Sequence, residues 1–357
     1  MVTGDLEARL SARTLELVDI PSESRHEAAI AAHVLGLLES GGVPVRDAGD
    51  DCLVAGEPQG QGGFELVLAG HFDTVPSQGN IPGEVIGSSV RGLGAADMKG
   101  ALAVMVELAL AGLPAGVGLV FFGREELPPA DSALAPLLER DGALKASRLA
   151  VVMEPTANHV QAGCLGNLNA SWSFSGRSGH SARPWLAENA IAALAEGVAE
   201  LESREPVVHD FAGLEFREVF SVTSVEGGIA RNVIPAQAQA HVNYRYPPGI
   251  SPQEAEERIR EACEPRGTLV IEANAPSGPV VTTGPLVEAL IEASGAPAEP
   301  KQAWTPVAEF GAAGVPAVNY GPGDPVQAHR ADEEVSAAAL AACFSALSEL
   351  CARAGAG

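Results

Sequence analysis

The chain has 357 residues, 46% of them apolar, and a formal net charge of −24. That length can hold two domains with proper cores. The acidic balance argues against nucleic acid or an anionic membrane as partner, because either would require basic surface.

The N-terminal segment is amphipathic and charged, with no apolar signal core. No run approaches the roughly 18 apolar residues of a membrane span. Five cysteines (Cys52, Cys164, Cys263, Cys343 and Cys351) are scattered without a CxxC pair. They imply neither a thiolate metal site nor a disulfide framework, and fit free thiols in a reducing compartment. A cytoplasmic location is expected.

In chain order, apolar spacing of three and four predicts helices over 5–19 and 26–40, separated by the turn and N-cap signals of PSES. A buried strand follows at 64–70. After Asp97 comes MKGALAVMVELALAGL, almost wholly apolar, as expected of a crossover helix packed on a sheet. Strands are expected near 117–122 and 148–153. Past Gly166 the texture changes: NLNASWSFSG alternates as a half-exposed antiparallel strand does. A helix near 186–203 follows, then two strands (REVFSVTSVEG and QAQAHVNYRYPP), the amphipathic helix SPQEAEERIREACEPR and the strand TLVIEANA. Strand, helix, two strands, helix and strand make a ferredoxin-like α+β unit. From about 279 the α/β texture returns, with a helix at 284–294, the strand VPAVNY and a helix near 335–353. The expected fold is a discontinuous α/β domain (1–166 and 279–357) with a smaller α+β domain inserted at 167–278.

Polar signals sit at the ends of successive apolar runs. ELVLAG leads to His71 and Asp73, VRGLGAA to Asp97, VGLVFFGR to Glu125 and Glu126, and LAVVM to Glu154. Their spacing is just under about 30 residues, the length of strand, crossover and strand. Such residues converge on one crevice at the carboxyl ends of a parallel sheet. His329, after VPAVNY and a Gly-Pro turn, is a further candidate. Two imidazoles and several carboxylates in one crevice read as the metal site of a hydrolase.

Each member has its own physical reading. In H-x-D, residues i and i+2 point the same way, so Asp73 can accept the His71 ring N–H and set the tautomer that offers the other nitrogen to a metal. GLGAAD invites comparison with a dinucleotide loop, but its third position is an acid, which would repel a pyrophosphate. A carboxylate bridging two cations suits Asp97 better. Glu125 and Glu126 end a strongly apolar run, where paired carboxylates are costly without cations. One can ligate while the other takes a proton from the attacking water; spacing leaves open which does which. Two divalent ions balance Asp97, Glu126, Glu154 and one hydroxide, with His71 and His329 as neutral ligands. Imidazole and carboxylate ligation suits two zinc ions, with cobalt or manganese as substitutes.

At GHFDTVP, GLGAADMKG, REE, MEPT and AHRADE the chain resembles the di-zinc aminoacylase, carboxypeptidase and desuccinylase family of metallopeptidase-like hydrolases. The order and spacing match over essentially the whole length. GCLGNL, GHSARPWLAENAIA, RNVIPA and NYGPGDP look most like the actinobacterial desuccinylases. The resemblance implies a zinc-peptidase-like catalytic domain carrying an inserted lid and dimerisation domain. It implies that His71 and either Glu126 or Glu154 hold separate zincs, that Asp97 bridges them, and that His329 binds on the Glu126 side. It assigns Glu125 as the general base. It also marks His180, in SGHSARP, as a residue that reaches the other subunit's site and polarises the scissile carbonyl, which requires a homodimer through the inserted domain. Asn232, in RNVIP, matches a position contacting substrate or the developing oxyanion. Arg245, in NYRY, and Arg183 are candidates for a substrate carboxylate.

The reaction this implies is removal of succinate from N-succinyl-LL-2,6-diaminopimelate, on the route to diaminopimelate and lysine. One departure stands out in WTPVAEF. Related desuccinylases usually carry Asp where Pro306 stands and Arg where Glu309 stands, and Glu309 would repel the carboxylate such an Arg pairs with. Either Arg183, Arg231 or Arg330 compensates, or the substrate differs. The alternatives are a deacylase for another N-acyl amino acid or dipeptide and, from a different class, a non-catalytic homologue that binds a metabolite.

Overall fold

A computed structural model describes residues 3–59 and 62–356, which form two compact units. The first runs to Gly163, takes in Pro279–Glu299 and resumes at Thr305; the second is Cys164–Gly278 with Pro300–Trp304. That last segment, which the sequence reading leaves in the first domain, is tied to the second unit by specific bonds. Gln302 accepts the Arg217 N–H and donates to the Glu215 carbonyl, the Leu165 N–H reaches the Ala303 carbonyl, and the Trp304 indole donates to the Pro276 carbonyl.

The first unit is built on an eight-stranded mixed sheet. In spatial order its strands are Val45–Gly49, Cys52–Gly56, Val117–Phe122, Leu66–His71, Ala150–Val152, Ala317–Asn319, Gln161–Ala162 and Glu299–Pro300. The four central strands are mutually parallel. Leu66–His71, Val117–Phe122 and Ala150–Val152 are buried at every residue, which is why their sequences are unbroken apolar runs. The hairpin Val45–Gly56 carries no clear strand signal in VRDAGDD, and it enters the sheet only by pairing with Val117–Phe122. Helices Thr3–Val18, Ala28–Ser40, Gly100–Gly112, Pro285–Ser294 and Ala337–Ala354 contribute apolar side chains to the core beside the sheet. Gly100–Gly112 is buried over its first ten residues, as its nearly all-round apolar sequence requires. The 18-residue helix Ala337–Ala354 has the length and mean apolarity of a membrane span, but Ser345, Ser348, Glu349 and Arg353 interrupt its apolar run. It packs Leu340, Leu347 and Leu350 into the core instead.

The second unit is a five-stranded antiparallel sheet ordered Val207–Phe211, Leu214–Gly227, Gln237–Tyr246, Gly166–Ser175 and Thr268–Ala275. Helices Ala190–Glu202 and Pro252–Cys263 cover one face, where Trp172, Phe174, Val242 and Tyr244 are buried. The last four strands have the ferredoxin-like order. Val207–Phe211 is an added edge strand, closed on its neighbour by a turn at Ala212–Gly213.

Candidate metal centre

Three adjacent parallel strands bring the polar residues together. His71 ends Leu66–His71 and lies in register with Phe122, the last residue of the neighbouring strand. Glu125 and Glu126 follow just beyond. Glu154 lies just beyond Ala150–Val152, on the other side of Leu66–His71. Asp97 arrives differently from the sequence reading. The stretch before it is no strand of the main sheet: Ser89–Arg91 belongs to a separate three-stranded sheet with Glu84–Ile86 and Glu334–Ser336. Asp97 stands in a tight turn over Ala95–Lys99, non-helical itself at φ −126°, ψ 90°. Two glycines make room for the turn. Gly94 has φ +80°, and a Cβ on Gly323 would lie 2.2 Å from the Ala96 carbonyl oxygen.

The distances define two overlapping clusters. His71 Nδ1 lies 2.9 Å from the Asp73 backbone carbonyl oxygen. A carbonyl only accepts, so Nδ1 carries a proton, and in the neutral ring Nε2 is the nitrogen with the lone pair. That Nε2 is 3.3 Å from Asp97 Oδ1 and 3.8 Å from Glu154 Oε1. His329 Nε2 is 3.0 Å from Glu126 Oε1 and 3.7 Å from Asp97 Oδ2. The two oxygens of Asp97 thus face the two imidazoles separately. Donor atoms of His71, Asp97 and Glu126 fall within 4.8 Å of one another, as do those of His71, Glu125 and Glu154.

The electrostatics call for added positive charge. Burial, then Glu154, push the Glu125 carboxyl well above the usual range, with His71 opposing. Burial would lower His71, but Asp73, Asp97 and Glu125 raise it well above its ordinary value. The hydrogen bond to Glu126 raises His329 to about 9 against the opposing effect of burial. A carboxyl and two imidazoles that hold protons this tightly beside further carboxylates exchange them for a cation. The donor set therefore fits metal ions: hard and borderline oxygen and nitrogen ligands, with one imidazole tautomer already set.

Asp73 does something the H-x-D pattern does not express. Its carboxylate is 3.4 Å from His71 Nδ1, farther than its own backbone carbonyl. Oδ1 accepts the Glu125 N–H at 3.0 Å, while Oδ2 accepts the Glu126 N–H at 3.1 Å and the Ser24 hydroxyl at 2.7 Å. Burial would raise Asp73, but His71 first, then the Ser24 hydroxyl and the Glu125 N–H, hold it below the usual carboxylate range. Glu27 supports the same loop by accepting the Arg124 N–H at 3.0 Å. Sequence reasoning missed Ser24 and Glu27, because nothing local marks a Ser in a turn or a Glu before a helix as a distant loop's acceptor.

In the second unit, His180 and Asn232 are neighbours. Gly179–His180 pairs with Val233–Ile234, and the Ser181 N–H donates to the Asn232 carbonyl at 3.0 Å. His180 is exposed and its Nδ1 accepts the Ala182 N–H at 3.1 Å. The neutral ring therefore carries its proton on Nε2, as a donor facing away from its own backbone. Arg183 lies in the same turn, its N–H donating to the His180 carbonyl. Arg245 is apart from them, at the end of Gln237–Tyr246, where its Nε donates to Asn243 Oδ1 at 2.8 Å. Asn243 in turn donates to Asn167 and Asn169. Arg330 forms a two-point pair with Asp332. Glu309 packs near Ser132 and Ala135, and burial pushes its carboxyl up to about 7.

Comparison with known proteins agrees with this fold. Residues 165–268 match the peptidase dimerisation domain of the M20 type. A Mycobacterium tuberculosis protein named as a succinyl-diaminopimelate desuccinylase is 36% identical over 337 residues, covering 94% of this chain and 95% of that one. The succinyl-diaminopimelate desuccinylase of Corynebacterium glutamicum is 33% identical, covering 90% of each. In three dimensions, the Bacillus subtilis YXEP protein, a dinuclear metal binding peptidase from the M20 family, superposes with a TM-score of 0.70 at 18% identity, covering 98% of each chain. The chain belongs to the M20 metallopeptidase family. Its activity is that of a metal-dependent amide hydrolase.

Proposed function

We propose that the chain hydrolyses N-succinyl-LL-2,6-diaminopimelate to succinate and LL-2,6-diaminopimelate in the cytoplasm, as a homodimer holding two zinc ions. The observation that carries the substrate is the 36% identity to the M. tuberculosis protein over nearly the full length of both. His71, Asp97, Glu126, Glu154 and His329 would hold the metals, Asp97 between them, which the separate facing of its two oxygens supports. When bound, the ions supply Lewis acidity at the amide carbonyl and lower the pKa of water. The name of the B. subtilis relative supports a pair of ions. Five buried free cysteines suit a reducing compartment.

Glu125 removes the proton from the attacking water and returns it to the leaving amine nitrogen; its place beside His71 and Glu154, within reach of the proposed metals, suits that exchange. His180 of the second copy donates its Nε2–H to the carbonyl oxygen as negative charge develops there. Asn232 assists at the same oxygen or at the substrate, and Arg183 and Arg245 receive carboxylates. Glu309 favours a second reading, a deacylase whose substrate is not anionic at that end.

The test is steady-state hydrolysis by the zinc-loaded protein, with N-succinyl-LL-diaminopimelate beside N-acetylornithine and a panel of N-acyl amino acids. A kcat/KM of about 10⁴ M⁻¹s⁻¹ or more on the succinyl compound supports the desuccinylase. Activity confined to other amides replaces it with the deacylase.

A further inference from the structure

The GLGAAD turn has the backbone of an anion cradle. The N–H groups of Gly94, Ala96 and Asp97 point to one place, and a carboxylate from a remote part of the chain fills it. Glu333 Oε2 accepts the Gly94 N–H at 3.0 Å, and Oε1 accepts the Ala96 and Asp97 N–H groups at 2.8 and 2.9 Å. Glu333 is 1% exposed. Successive N–H groups aimed at one point form an anion-binding concavity, and hydrogen bonds to an ionised acceptor are stronger than neutral ones. The loop that superficially resembles a phosphate binder therefore holds an internal carboxyl group, which burial pushes up to about 7 against the lowering effect of these N–H groups.

Its position matters because Glu333 is close in sequence to His329. The backbone of that stretch is tied down again at its other end: Gln78 donates to the His329 carbonyl at 2.9 Å and Asn80 to the Arg330 carbonyl at 3.3 Å. The Gly92 N–H also donates to the Glu333 carbonyl at 3.0 Å. Two loops, one bearing Asp97 and the other His329, are thus clamped together through the side chain and backbone of Glu333.

We infer that Glu333 is a positioning residue that holds Asp97 at the spacing from His329 needed for the two to share a metal ion. The inference rests on the dinuclear reading above. Gln at 333 keeps the shape but has one acceptor oxygen for three donors, and its amide N–H₂ must face at least one backbone N–H. Ala leaves the cradle open to a small carboxylate.

The experiment compares wild type, Glu333→Gln, Glu333→Ala and the control Glu334→Gln, whose side chain pairs with Arg91 at the surface. Metal affinity is read by chelator competition, and folding by circular dichroism. Glu333→Gln is expected to bind metal about 10–100-fold more weakly, the usual cost of losing a group that orients a ligand, with kcat falling more than KM rises. Glu334→Gln should be unchanged, and formate or acetate should restore part of the affinity of Glu333→Ala. Folded Glu333→Gln with wild-type affinity would overturn the inference alone. A wild type that takes up no metal would overturn the dinuclear reading and this inference with it. Should the variants not fold, amide exchange in the wild type decides: slow exchange at Gly94, Ala96 and Asp97 without metal supports the clamp, and fast exchange there overturns it.

Discussion

The carboxylate of Asp73 receives the backbone N–H of Glu125 at 3.0 Å, and its other oxygen receives that of Glu126. The acid two residues past His71 therefore also sets the loop that carries Glu125, the proposed base. Asn at 73 keeps the size but offers one acceptor where two N–H groups need one each. Asp73→Asn should leave a folded protein whose kcat and metal affinity are each lower by about 10–100-fold. Steady-state kinetics with chelator titration will check this, and an unchanged metal affinity would limit Asp73 to the base.

Glu125→Gln should lower turnover by about 10²–10⁴-fold, the contribution of a positioned general base, with metal content intact. Metal analysis of the purified variant is the necessary companion, since Glu125 lies within ligand distance of His71 and Glu154. Near-normal turnover would remove the base assignment, whereas loss of metal would make Glu125 a ligand.

His180→Ala should lower kcat by about 10²-fold or more, as the loss of an oxyanion donor does. If the donor acts across a dimer, mixing His180→Ala subunits with Glu125→Gln subunits creates one complete site per mixed dimer. Activity should reappear on subunit exchange between the two inactive proteins. Its failure to appear in verified mixed dimers would place His180 outside its partner's site.

Glu309 predicts a pH dependence of stability. Burial raises its folded-state pKa to about 7, from an unfolded value of about 4.5. Between those values the folded state binds more protons than the unfolded one, so this contribution to stability is present below about pH 4.5 and is lost as pH rises through about 7. Glu309→Gln should flatten that slope and raise Tm at pH 8 by about 2–4 °C, the shift that ~1 kcal/mol gives a domain of roughly 200 residues. Thermal melts across pH will test it, and equal slopes in the two proteins would show that Glu309 ionises freely.

Much of the fold can be read directly from the chain. Val117–Phe122 and Gly100–Gly112 stand out because full burial demands unbroken apolar sequence. Gly166–Ser175 stands out because one covered face imposes strict alternation. The strands Val45–Gly49 and Val207–Phe211 do not, since short, largely exposed strands take their conformation from the neighbour they pair with. The terminal helix Ala337–Ala354 is legible too, because its apolar residues recur at helical spacing.

The same division runs through the site. His71, Asp97, Glu125, Glu126 and Glu154 are legible because each ends an apolar run or opens a helix, and local periodicity reports where chain leaves the core. The sequence determines which side chains are available, and with them the chemistry. Only the tertiary structure decides which backbone groups a buried carboxylate meets. Glu333 is an unremarked acid in AHRADE until folding sets it on the N–H groups of Gly94 and Asp97, 239 and 236 residues away. No period links residues so far apart; the link comes from the cost of burying a charge without donors, which only the packed chain can meet.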